Sequence, residues 1–348
     1  MREYLPTLVG NAALRARLGA DLARGAFAHA YILEGPEGSG KHTLAREIAM
    51  SLACEHRADA RYPLPCRTCP TCRKIATGNS PDVIKVTREE DRMTMGVDVV
   101  RALRNDVSVV PNDLDFKIYI VEDAHTMTEQ AQNALLLTLE EPPAFVVFLL
   151  LCSEARLMLE TIRSRAPILR MQAVSEEEIS AHLLSHPRAE IARAAKALQE
   201  GNAEEYAALL RMANGRVGRA LMLLEEEPRS AVLERREAVL SLCTSLASGK
   251  RAAELTVLLR SFGTAREELV AKLLLFSDAL RDLTVLCCAE TAPLLFFTDR
   301  EGALDMSAQF TARELLELAA ATEDTLHSLA ANANTRLAMT QYLCRILA

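Results

Sequence analysis

Tryptophan is absent from this 348-residue chain and aromatic residues make up only 4% of it, which excludes a core built mainly on stacked rings. The most apolar run, Phe145–Cys152, falls far short of the roughly 20 residues that cross a bilayer. Nothing near the start reads as a basic stretch, an apolar run and a small-residue cleavage site. The expectation is a soluble, cytoplasmic protein with no membrane partner. An excess of positive charge is also missing: the net charge is −7 and the pI about 5.7. That excludes a surface that grips nucleic acid everywhere, and leaves room for a local basic patch.

Apolar residues are plentiful, at 50% of the chain, with alanine and leucine dominant. The length suits two or three domains, with helices packed on helices and a smaller β component. The nine cysteines are unevenly spread. Four lie between Cys54 and Cys72, whereas Cys152, Cys243, Cys287, Cys288 and Cys344 sit in apolar surroundings and read as buried thiols.

The first half alternates compact apolar runs with helical patterns. The runs are His29–Leu33, Asp82–Val86, Phe116–Val121, Phe145–Leu151 and Ile168–Met171. Helical periodicity fills Thr43–Leu52, Val97–Val107, Glu129–Leu139 and Arg156–Ile162. Strands separated by helices predict a parallel sheet with both faces covered. After Met171 the β pattern ends, and Ser175 followed by Glu178 reads as a capping box opening a helix. Further helical patterns run over Ile191–Gln199, Ala203–Met212 and Val217–Leu224. Pro228 in its charged surroundings marks a boundary. From Ala231 onward the periodicity is helical, with breaks near Ser248–Gly249, Gly263, Glu290–Pro293 and Arg300–Gly302.

The segment GPEGSGK at Gly35–Lys41 follows a predicted strand and opens a predicted helix, the context a phosphate loop requires. Gly35, Gly38 and Gly40 let backbone N–H groups converge, and Lys41 reaches terminal phosphates. ATP or ADP is the ligand such a loop would take. The motif calls for a Ser or Thr hydroxyl on Mg²⁺ directly after the lysine, and here that residue is His42. A neutral imidazole is a poor ligand for a hard cation, and Thr43, one place on, does not restore the position. A second acidic motif, KIYIVEDAH at Lys117–His125, reads as the strand that carries metal- and water-directing carboxylates. Its order is Glu122 then Asp123, where an active ATPase presents Asp then Glu. Each side chain is one methylene off, which chemistry dependent on placement tolerates badly. Weak or absent hydrolysis is expected.

Cys54, Cys66, Cys69 and Cys72 give C-x11-C-x2-C-x2-C. Short C-x2-C steps converge thiolates on one tetrahedral ion, and a full four-sulfur shell is structural zinc. His56 is the alternative fourth donor in place of Cys54, and free thiols are the plain alternative.

NALLLTLEEPP at Asn133–Pro143 resembles the NALLK-LEEPP signature of bacterial clamp-loader AAA+ subunits, with Leu137 where lysine is common. Thr161–Ala166, TIRSRA, is similar to that family's SRC motif, with Ala166 replacing the cysteine. HAYILEGPEGSGKHTLA at 29–45, the cysteine cluster and GRVGRAL at 215–221 add to the likeness, which extends from about Leu8 to Leu223. It implies a P-loop AAA+ module with a five-stranded parallel sheet over 1–172, carrying an inserted zinc module over 54–72. A helical lid over 173–228 and an all-α collar over 229–348 would complete the chain. Within the family, a basic residue after the P-loop lysine and an altered acidic box resemble the delta-prime-like branch, a stator, more than the gamma/tau motor. The implied partners are gamma/tau and delta subunits, with the sliding clamp and primed DNA reached through the complex. Arg165 would be an arginine finger supplied to a neighbour's ATP, and Arg219 the sensor-2 arginine on the lid. Ser153 falls at the sensor-1 position, with Cys152 as the alternative. Two other readings stay open: an active motor ATPase, and a zinc-dependent nucleic-acid-binding module.

Overall fold

The computed structural model describes residues 2–89, 92, 94–249, 262–263, 265–289, 291–292, 294–330 and 333–346. Residues 250–261 of the expected helical stretch, and Glu290 and Pro293 at one expected break, lie outside the described residues. The chain divides into two compact units. One is Met1–Ala192 with Gly215–Leu221; the other is Arg193–Asn214 with Met222–Ala348.

The first unit is built on a five-stranded sheet. In chain order its elements are α1 (Ala12–Arg24), β1 (Ala30–Glu34), α2 (Lys41–Ala53), α3 (Pro70–Ala76), β2 (Val83–Val86) and α4 (Val97–Val107). There follow β3 (Lys117–Val121), α5 (Glu129–Glu140), β4 (Val146–Cys152), α6 (Glu160–Arg163), β5 (Ile168–Arg170) and α7 (Glu176–Leu184). The strand order is β2-β3-β4-β1-β5, and every pairing is parallel. All five expected strands are present, each within a residue or so of its apolar run.

Alternate side chains of each strand face opposite sides, so one apolar run serves two cores. Leu33 of β1 and Val147, Leu149 and Leu151 of β4 pack with Leu18 of α1 and Leu44 and Ile48 of α2. Ala30, Ile32, Phe148 and Leu150 face the other way, toward Val100 and Leu103 of α4 and Leu135 and Leu139 of α5. Strands buried on both faces need this continuous apolar character. The neighbouring order β3-β4-β1 also brings three strand ends to one edge. The loops that follow them carry Glu122, Ser153 and the phosphate loop.

Arg156–Ile162 is not one helix. A 3-10 turn over Ala155–Leu157 is separated from α6 by Met158 and Leu159, and both of those are extended. The Leu159 N–H donates to the Gln132 side-chain oxygen at 2.8 Å, a tertiary bond that replaces the local helical one. The capping box at Ser175 and Glu178 forms in both directions and starts α7.

Among its described residues, the regular elements of the second unit are all helices. Val239 and Leu242 of the helix Glu226–Ala247 pack with Leu273, Phe276 and Leu280 of the helix Arg266–Leu286. Leu315 and Tyr342 from the helices Ala312–Ala330 and Thr335–Ile346 complete that core. The Tyr342 hydroxyl meets Thr322 Oγ1 at 2.8 Å. The fully buried Asp282 carboxylate accepts the backbone N–H groups of Leu295, Phe296 and Phe297 at 2.7–3.2 Å, pinning the loop after its helix. Burial was expected for all five scattered cysteines, and it holds for Cys152 and Cys243 only. Cys287 and Cys288 are exposed where the helix Arg266–Leu286 ends, and Cys344 is exposed on the last helix.

Candidate functional site

The phosphate loop joins β1 to α2. Gly38 and Gly40 have φ of +75° and +98°, values that L side chains adopt with strain. Gly40 caps α2 without any side-chain bond, and no acidic residue stands in the first turn. The leading N–H groups of α2 are therefore oriented to receive an anion. Lys41 is buried, and its Nζ donates to the Gly35 and Pro36 carbonyls at 2.6 and 2.9 Å. Burial lowers the affinity of that amine for its proton, and the charge of Asp123 works against this. Thr43 is exposed on α2.

The acidic turn after β3 lies across from the loop. His42 Nδ1 stands 3.4 Å from Glu122 Oε1, and Lys85 Nζ lies 3.8 Å from the same oxygen. The residue that replaces the metal-binding hydroxyl thus faces the first acidic residue of the second motif. Asp123 is exposed and left-handed, at φ +47°. Next to it, burial pushes the His125 imidazole below its usual value, and the Asp123 charge partly counters this.

Of the two sensor-1 candidates, Cys152 ends β4 with its thiol fully buried and pushed up to about 12, chiefly by burial. Ser153 lies beyond it, and its N–H points at His125 Nδ1 across 3.5 Å. Glu34, which the sequence did not single out, ties this edge together. One carboxylate oxygen accepts the Ala155 N–H at 2.8 Å, and the other accepts Arg170 Nε at 2.7 Å.

The segment around Arg219 meets the phosphate loop directly. Gly218 N donates to the Gly38 carbonyl at 2.8 Å, and Gly215 O accepts from Val174 N at 2.9 Å. A Cβ on Gly38 would come within 2.9 Å of the Arg219 nitrogen, so both glycines are required for this approach. Arg219, half-buried, therefore lies in the first turn of the helix Val217–Leu223, against the loop.

Arg165 follows α6. Its Nη2 pairs with Glu140 Oε1 at 2.7 Å, and its Nη1 donates to the Thr161 carbonyl at 2.9 Å. The guanidinium is about a third exposed at 36% and so still reaches solvent.

The cysteines gather beside the C-terminal end of α2, which Cys54 caps. Donor atoms of Cys54, His56, Cys66 and Cys69 lie within 4.8 Å of one another. Cys72 is fully buried, 4.0 Å sulfur to sulfur from Cys66. The mutually close donors are thus Cys54, His56, Cys66 and Cys69, with Cys72 beside Cys66, where spacing alone suggested the four cysteines, with His56 in place of Cys54 as the alternative. His56 Nδ1 lies 3.3 Å from Cys66 Sγ, and its ring stacks on Tyr62. Converging buried thiols with an imidazole at the rim fit a soft divalent metal such as zinc. Cys69 also caps α3, with Pro70 at its first position, a short helix that the cysteine-rich sequence concealed.

A parallel sheet in this order, with a phosphate loop after β1 and an acidic turn after β3, defines a P-loop module of the AAA+ class. A family model described as "DNA polymerase III, delta subunit" matches residues 10–175. The tau subunit of DNA polymerase III from Bacillus subtilis is 32% identical over 225 residues, 65% of this chain and 36% of its own. The Salmonella typhimurium tau subunit is 34% identical over 221 residues, 63% and 32% of the two chains. A Buchnera aphidicola gamma subunit is 36% identical over 155 residues, 44% and 41%. The chain spans about a third to under half of the length of these curated relatives. Over residues 10–175 it belongs to the clamp-loader subunit family of DNA polymerase III.

Proposed function

We infer that this chain is a delta-prime-like stator of a bacterial clamp loader: it helps assemble the ring that loads a sliding clamp on primed DNA, and does little hydrolysis itself. The observation that carries this reading is the approach of His42 to Glu122 at 3.4 Å. An imidazole and a carboxylate that satisfy each other leave no oxygen pair for Mg²⁺. Lys41 is in turn held by carbonyls of its own loop. Nucleotide can still be held through the α2 N-terminus, Gly35, Gly38, Gly40 and Arg219, without being turned over.

In this reading Arg165 is lent to the ATP of an adjoining gamma/tau subunit, and Glu140 keeps its guanidinium extended until that neighbour docks. A planar, permanently charged group suits a developing phosphoryl charge. Residues 173–228 serve as the lid and 229–348 as the collar. Cys54, Cys66, Cys69 and Cys72 hold a structural zinc, with His56 at the edge of the shell.

A second reading, a gamma/tau-like motor, has one point in its favour: the relatives named above are gamma and tau subunits. Reconstitution separates the two. The stator reading expects one stable assembly with motor and clamp-opening subunits, in which this chain occupies a single position. A chain that fills the motor positions and supports turnover without another ATPase subunit contradicts it.

A further inference from the structure

We propose that the ion pair between Arg67 and Glu47 couples the cysteine cluster to the phosphate-binding helix, so that holding or losing the metal changes how firmly α2 presents Lys41. The proposal rests on reading the cluster as a metal site.

Glu47 belongs to α2 and stands about 9 Å beyond Lys41 along the axis, at 1.5 Å per residue. Its side chain is 1% exposed, yet it carries a carboxylate. Among the described residues its cationic partner is Arg67, whose Nη1 bonds Oε1 and also donates to Thr7 Oγ1 at 2.9 Å. The Thr7 N–H approaches the other carboxylate oxygen at 3.5 Å. Burial pushes the Glu47 carboxyl upward, and the Thr7 and Arg67 contacts hold it back. A buried carboxylate with one counter-charge is sensitive to where that charge is kept.

The loop of the cluster decides where it is kept. Arg67 lies between Cys66 and Cys69, in a left-handed conformation with φ +61°. The Cys69 N–H turns onto Cys66 Sγ at 3.4 Å, and the Cys72 N–H onto Cys69 Sγ at the same distance. A bulky L residue holds a left-handed backbone only while its surroundings impose it. Here the imposing groups are the sulfurs that a metal would gather. Without the metal those sulfurs no longer need to converge, Arg67 is free to relax, and Glu47 is left buried without its partner. α2 then loosens from the end opposite the phosphate loop. Linkage makes the effect reciprocal: an anion that firms α2 strengthens metal retention.

Hydrogen exchange on the full-length chain tests this. Metal content is measured first. A freshly purified chain without stoichiometric zinc removes the metal reading and the proposal together, whereas a loaded chain tests the proposal alone. Chelation is expected to raise exchange of amides 44–50 by about tenfold or more, with Val146–Cys152 still protected. Zinc-loaded R67A, with every cysteine intact, should show the same loosened α2. E47Q, isosteric and neutral, should lose the response to chelation. Chelation that exposes residues 54–72 and leaves amides 44–50 unchanged overturns the coupling. So does a zinc-loaded R67A chain as protected as wild type. If R67A fails to fold, or chelation unfolds Val146–Cys152 as well, the partial chelation series of E47Q decides. A response in E47Q equal to that of wild type overturns the coupling.

Discussion

Arg165 and Glu140 form a 2.7 Å ion pair between the second residue after α6 and the last residue of α5. Each belongs to a separate family-like segment: Arg165 to TIRSRA, Glu140 to NALLLTLEEPP. The two segments are thus a single structural unit, in which an acidic side chain fixes the direction of a basic one.

A partly exposed pair of this kind contributes only about 0.2–1 kcal/mol to folding. Arg165→Ala should therefore leave the melting temperature of the isolated chain nearly unchanged. In a reconstituted complex it should lower DNA-dependent ATP turnover by about a thousandfold or more at the site it serves. Glu140→Gln should produce a smaller loss of the same kind, since the guanidinium remains but is less well aimed. Turnover unaffected by Arg165→Ala would take this residue out of the reaction.

His42→Ser restores the hydroxyl that the phosphate loop lacks and removes the imidazole from Glu122. Nucleotide affinity of the wild-type chain should differ little between magnesium and a chelator. The variant should gain about tenfold affinity when magnesium is present, since a hard oxygen ligand has replaced nitrogen. Titration calorimetry with ATP reads both. Equal magnesium dependence in the two chains counts against the His42–Glu122 account.

His125 gives the phosphate edge a defined pH dependence. Its folded value lies below the ordinary 6.5 because of burial. Between the two values the unfolded chain binds a proton that the folded chain does not. Its contribution to stability is present above pH 6.5 and is lost as pH falls toward the folded value. Urea midpoints followed downward from pH 7 should decline less steeply in His125→Asn than in wild type. Parallel slopes would show that His125 does not titrate differently on folding.

Much of the first unit was legible because its signals are local. A strand buried on both faces needs an unbroken apolar run, and each of the five runs became a strand. The box at Ser175 and Glu178 depends only on neighbouring residues, and it formed. What escaped was decided at a distance. The break before α6 depends on Gln132, some 27 positions from Leu159. The partner of Arg67 is 20 positions upstream on another element, so in sequence it reads as one arginine among many. The contact of His42 with Glu122 needs β3 and β1 flanking β4, an order that composition does not reveal. Apolar neighbours suggested burial for Cys287 and Cys288, yet a helix end exposes what its middle would cover.

ATP turnover by the purified chain with magnesium tests the central claim most directly. A phosphate loop whose lysine rests on its own carbonyls, and whose metal-side residue is matched to a carboxylate, should hydrolyse at the rate of a protein-free blank. Lys41→Ala should then change nothing. Brisk turnover that disappears with Lys41→Ala would contradict the account and make this chain a motor in its own right.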